Sequence, residues 1–140
     1  TVAAWPAAGQ RQVLHVASGL LDCNLREGWM RLQDAWRNTW IDLALPAPGP
    51  EVLQALLERY GESHRAYHTA QHLAECFQHF DGARPLAAHA GEVALALWFH
   101  DAIYDPHSAR NEADSADWAD RVLVSAGAGA AMRDRVQIVQ

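Results

Sequence analysis

An all-α fold is predicted by three features of this 140-residue sequence. Alanine dominates while valine and isoleucine are sparse, apolar residues recur at helical spacing almost throughout, and no segment shows the strict alternation of a strand. A mass of 15.5 kDa is one domain's worth of chain. With 50% hydrophobic and 20% charged residues, the composition excludes a disordered tail. The net charge of -6 and the scatter of the 11 basic residues leave no footprint for nucleic acid or an anionic membrane, so neither is expected as a partner. The longest apolar run, Val93 to Phe99, is far below the roughly 18 to 20 residues of a membrane-spanning helix. Gln10, Arg11 and Gln12 break up the N-terminal apolar residues, so a secretory leader is not indicated and the cytoplasm is the expected location. Cys23 and Cys76 match no metal or redox spacing. Both read as reduced thiols, Cys76 as a small core residue.

The elements follow in order. Helical patterns run from Gln10 to about Leu25 and from about Met30 to Ile41, with Gly28 as the expected separator; the second carries Met30, Leu32, Trp36 and Trp40. The segment Pro46-Ala-Pro-Gly-Pro50 is too rich in breakers for a helix and reads as a linker. Pro50 suits the first turn of a helix through Val52, Leu53, Leu56 and Leu57 to Tyr60, which Gly61 is placed to stop. Thr69 is a suitable cap for the next helix, expected to bury His72, Leu73, Cys76, Phe77 and Phe80 on one stripe before Asp81-Gly82 and Pro85 end it. From Leu86 or Gly91 to Ala102 the pattern is apolar on nearly all sides, which marks the central helix. A loop around Tyr104 to His107 precedes a helix from about Asn111 to Val124, and after Gly127 and Gly129 a final helix completes the chain. The Gly127-Ala-Gly129 run lacks a preceding strand and a third glycine, so it reads as a turn rather than a phosphate cradle. Trp5, Trp29, Trp36, Trp40, Trp98 and Trp118 lie at helix-like positions and read as packing groups.

Eight histidines is a high count, and most lie mid-chain. His100 and Asp101 stand at the end of the most apolar helix. Burial there carries a large cost unless the pair meets a partner, and a divalent cation suits both ligand types. From His72 the chain runs outward to Phe80, turns through Asp81 to Pro85 and runs back to His100. At about 1.5 Å per residue each leg is roughly 12 to 15 Å, so an antiparallel pair returns His72 to the level of His100 and Asp101. The three are expected to share one ion. Tyr104, Asp105, Asn111 and Glu112 follow the ligand end and begin near the same place. Glu112 also sits in a helix first turn, where its carboxylate is favoured electrostatically. His15, His64, His79, His89 and His107 converge on nothing and read as surface residues.

These residues resemble a family. Tyr67-His68-Thr-Ala-Gln-His72-Leu, then Trp98-Phe-His-Asp-Ala-Ile-Tyr-Asp-Pro106, then Asn111-Glu112 with Ser115-Ala116, look like the HD superfamily of metal-dependent phosphohydrolases, and within it the small predicted bacterial HD hydrolases. The resemblance runs from about Met30 to Gln140. It implies an HD-domain-like helical bundle over residues 30–140, with residues 1–29 as an N-terminal helical extension. It implies a divalent metal, whether manganese, magnesium, nickel, iron or zinc, held by His72, His100 and Asp101. His68 matches a histidine characteristic of the subgroup. The family's later aspartate is expected well beyond Asp134, in a C-terminal stretch that this sequence lacks, and Asp114, Asp117, Asp120 and Asp134 do not replace it.

The expected activity is therefore hydrolysis of a small phosphate ester, a nucleotide among the candidates, by metal-activated water. Asp101 is a candidate for orienting the water, and His68 and Glu112 for contacting phosphate or passing a proton. Two alternatives stand beside it. One is a catalytically inactive HD-fold binding or regulatory module; the other is an obligate homo-oligomer whose partner copy covers the face near Gln140.

Overall fold

The computed structural model describes residues 21–139, and these form six helices, one 3-10 turn and connecting loops, with no strand. The expected helix before Leu21, His15 and Trp5 lie outside the described residues. Helix α1 (Leu21–Leu43) passes straight through Gly28, where the sequence pattern had suggested a separation. A helical glycine costs only about 1 kcal/mol relative to alanine, too little to end a helix by itself. The buried stripe of α1, Leu32, Trp36, Trp40 and Leu43, lies entirely after the glycine. Ala44 then takes the left-handed conformation at φ 55°, and the Leu45 amide donates back to the Trp40 carbonyl, which ends the helix.

The breaker-rich linker is non-helical, and α2 (Pro50–Tyr60) starts on Pro50 and stops at Gly61 as the sequence predicts. Helix α3 (Ala70–Ala83) is capped by Thr69, whose hydroxyl accepts from the His72 amide. It continues through Asp81-Gly82 rather than ending there, and Pro85 falls in the 3-10 turn Arg84–Leu86. Its buried stripe is Ala70, Leu73, Ala74, Phe77 and Phe80. His72 is exposed and Cys76 half-buried, which corrects their expected place in the core. Helix α4 (Ala90–Phe99) also ends earlier than Ala102. The Leu97 carbonyl, which a longer helix would give to the Asp101 amide, instead accepts from the His100 ring at 2.6 Å, and Ala102 closes a tighter turn onto Phe99. Helices α5 (Asn111–Ser125) and α6 (Ala130–Val139) are joined through Gly127 at φ 87°.

Helix α4 is the centre of the packing. Trp98 meets Trp36 of α1 at 5.0 Å and Phe77 of α3 at 4.9 Å between ring centroids, and Phe99 meets Trp118 of α5 at 5.5 Å. Two buried ring groups around α4 are also hydrogen-bonded, while the Trp40 indole nitrogen is buried without a partner among the described residues. Trp98 Nε1 donates to Thr39 Oγ1 at 3.1 Å, and the Tyr60 hydroxyl donates to the Trp98 carbonyl at 2.9 Å. Burial pushes the Tyr60 phenol far above its ordinary range, so it stays a neutral donor. At the opposite end of α4, Gly91 lies against the α1 backbone so closely that a Cβ there would sit 2.7 Å from the Leu43 amide nitrogen. Contacts at Gly91 with Leu43 and at Trp98 with Trp36 make α1 and α4 antiparallel. Among the described residues no helix is long and apolar enough to cross a membrane.

Candidate metal centre

The start of α3 and the end of α4 meet, as the return path from His72 to His100 requires. Their ring centroids are 6.4 Å apart. Cys76, one turn beyond His72 on α3, joins them: Sγ lies 3.6 Å from His72 Nε2. One ligand atom each from His72, Cys76 and His100 lies within 4.8 Å of the other two. A tetrahedral ion at about 2.3 Å from sulfur and about 2.05 Å from nitrogen sets S and N about 3.6 Å apart. The α3 pair already has that spacing. Bringing His100 in requires side-chain adjustments of about 1 Å, since two nitrogens on such an ion stand about 3.4 Å apart. The donor set therefore fits a divalent transition-metal ion.

The orientation of the His100 ring is fixed by its Nδ1. Because a carbonyl and a carboxylate only accept, His100 donates from Nδ1 to the Leu97 oxygen at 2.6 Å and from Nε2 to Asp101 Oδ2 at 2.9 Å, so a cation would take Nε2 in exchange for that second proton. Asp101 lies beside this group but is not a member of the close trio. Its Oδ2 is 2.9 Å from His100 Nε2 and accepts from His68 Nδ1 at 2.7 Å. Burial works against charge on both members of the doublet, yet their mutual hydrogen bond and attraction prevail. They raise the His100 imidazole above its ordinary value and, with help from His68, hold Asp101 down to about 2. Desolvation, together with the Asp101 and Glu75 charges, pushes the Cys76 thiol up.

The loop before α3 is held to the loop after α4 by Arg65, whose side chain is fully buried. Its Nη1 donates to the Asp101 carbonyl at 2.6 Å and the His68 carbonyl at 3.0 Å, and Nη2 donates to the Ala102 carbonyl at 3.0 Å. Glu62 balances the charge, with Oε1 at 3.1 Å from Nη2. The guanidinium also lies 5.2 Å from the Tyr60 ring centre and 5.7 Å from that of Tyr104. One buried cation thus fixes the backbone on which both His68 and Asp101 stand. Tyr104 forms the near wall, 4.9 Å from the His68 ring, and exposed His64 donates to its carbonyl at 2.8 Å. Asn111 and Ser115 shape the loop between α4 and α5. Asn111 exchanges two hydrogen bonds with the Asp105 backbone, and buried Ser115 receives the Ile103 amide at 3.0 Å.

Of the sequence-derived site residues, His68, His72, His100 and Asp101 are brought together. Glu112 is exposed in the first turn of α5 and, among the described residues, makes no hydrogen bond or ion pair. His64, His79, His89 and His107 are exposed, as their spacing suggested. Arg65 and Cys76 went unrecognised. The position of Cys76 four residues after His72 on a helix was the available signal, because such residues share a face. For Arg65 no local signal exists, since every acceptor but Glu62 and His68 is more than thirty residues away.

No family model, curated protein or solved structure matches this chain. The fold and site define an all-helical protein with a His/Cys/His cluster, flanked by a His–Asp–His chain, where the N-terminal end of α3 meets the C-terminal end of α4.

Proposed function

We propose that this protein is a metal-dependent phosphohydrolase acting on a small phosphate ester, as its HD-like motifs imply. The observation that carries the reading is the convergence of His72 and His100 from two helices, with Asp101 hydrogen-bonded between His100 and His68. In this reading His72, His100 and Asp101 hold the ion. A bound divalent ion polarises a phosphoryl oxygen and lowers the pKa of a coordinated water.

The chain's own groups supply the rest. Asp101, kept anionic by its two histidine neighbours, would orient the attacking water by accepting a hydrogen bond from it. His68 orients that carboxylate through Nδ1, which leaves Nε2 to donate to a phosphate oxygen or pass a proton onward. Arg65 does not contact phosphate, because its guanidinium is spent on the backbone beneath the site. Glu112, exposed in the first turn of α5, is a further candidate for contacting phosphate or passing a proton.

A non-catalytic helical binding module is the second reading, favoured by one observation: Asp101 stands outside the trio of mutually close ligand atoms. Hydrolysis of a panel of nucleotides and generic phosphate esters, with manganese, magnesium, nickel, iron or zinc added, separates the two. The phosphohydrolase reading expects metal-stimulated turnover that Asp101→Ala abolishes. Absence of turnover with every ion, or full metal occupancy in His100→Ala, overturns it.

A further inference from the structure

We propose that Cys76 is itself a ligand of the ion, so that the site is a mixed nitrogen–sulfur site selective for thiolate-accepting ions such as zinc and cobalt over magnesium. This rests on the metal centre proposed above and names the kind of ion it takes. His72 and Cys76 stand at i and i+4 on α3, and the helix backbone holds them on one face one turn apart. The sulfur is 3.6 Å from His72 Nε2, the edge length of a tetrahedral site of about 2.3 Å and 2.05 Å bonds, and it belongs with a ring nitrogen of His100 to the same close group. Cys76 is also free of any disulfide and only half-buried, so its thiol can lose a proton to a metal. A hard, oxygen-seeking ion such as magnesium gains nothing from this donor, whereas a borderline-soft ion does.

Cobalt(II) reports the ligand directly. A thiolate on cobalt produces a near-ultraviolet charge-transfer band, while the visible d–d bands report that the ion is bound in a low-symmetry site. The full chain is titrated with cobalt(II), and Cys76→Ser and Cys76→Ala are titrated in parallel, with zinc affinity measured by competition against a chelator. The proposal expects both bands in the parent and loss of only the near-ultraviolet band in Cys76→Ser. It also expects zinc affinity to fall in both variants by at least about tenfold, the lower end of what losing even an outer-shell partner costs. Visible bands without a near-ultraviolet band in the parent overturn the sulfur ligand and leave the phosphohydrolase reading standing. Failure of cobalt and zinc to bind the parent overturns the metal centre together with this proposal. Variants that keep the parent's zinc affinity also overturn it.

Discussion

Replacing Arg65 by methionine removes a buried charge while keeping most of the side chain's length and volume, and it tests whether one guanidinium holds the two ligand-bearing loops together. Four acceptors depend on it: the carbonyls of His68, Asp101 and Ala102, and the Glu62 carboxylate. A hydrogen bond from a charged donor is worth about 1.5–3 kcal/mol, but the carbonyls near the half-exposed Asp101 and His68 can recruit water, so the full sum is not lost. Glu62 is half-exposed and regains water, so the expected loss falls below the roughly 3–5 kcal/mol of a fully buried pair, to about 2–4 kcal/mol. For a domain of this size that lowers Tm by about 6–20 °C, at about 3–5 °C per kcal/mol. Arg59 provides the control, since it approaches the same Glu62 at 3.9 Å from an exposed position, and Arg59→Met is expected to cost no more than about 0.5 kcal/mol. Arg65→Lys keeps the charge but not the planar fork, and should fall between the two. Urea and thermal unfolding followed by circular dichroism measure all three. A Tm for Arg65→Met within about 3 °C of the parent, under about 1 kcal/mol, refutes the bracing role.

Two further predictions concern α4. Gly91→Ala forces a Cβ to 2.7 Å from the Leu43 nitrogen and 2.9 Å from the Asp42 carbonyl carbon, so α1 and α4 must separate. The expected loss is about 1–3 kcal/mol by chemical denaturation, and an unchanged stability contradicts the close approach. Glu92 is buried and accepts from Arg135 at 2.7 and 2.8 Å, and that hydrogen bond holds its carboxyl below the ordinary value of 4.5. A depressed folded-state pKa means the pair's stabilisation is complete above about pH 4.5 and is lost as pH falls through the folded value. Tm profiles of the parent and Glu92→Gln should therefore run parallel above that pH and converge below it; a constant gap down to strongly acid pH refutes the linkage.

What could be read without coordinates was whatever local chemistry controls. The breaker-rich linker, the Pro50 start and Gly61 stop of α2, the Thr69 cap and the apolar run of α4 each depend on neighbouring residues, and each lies where the pattern put it. The reunion of His72 with His100 was legible for the same reason, because helix rise and a short turn set where the return leg ends. Gly28 does not divide α1, because a single helical glycine costs only about 1 kcal/mol and no second breaker stands beside it. The end of α4 was misplaced because the competitor for the Leu97 carbonyl is a side chain, His100, whose choice of partner propensity does not describe. Cys76 changed from a core residue to a neighbour of two imidazoles because which part of the α3 face stays open is decided by what packs on it. Arg65 depended wholly on tertiary contact, since the carbonyls of Asp101 and Ala102 reach it only once α4 has docked. Sequence by itself thus determined the helices and the candidate ligand types, which follow from short-range sterics and periodicity. The tertiary structure alone decided which of those groups share a site and what braces them, because desolvation and long-range hydrogen bonds exist only between segments already packed together.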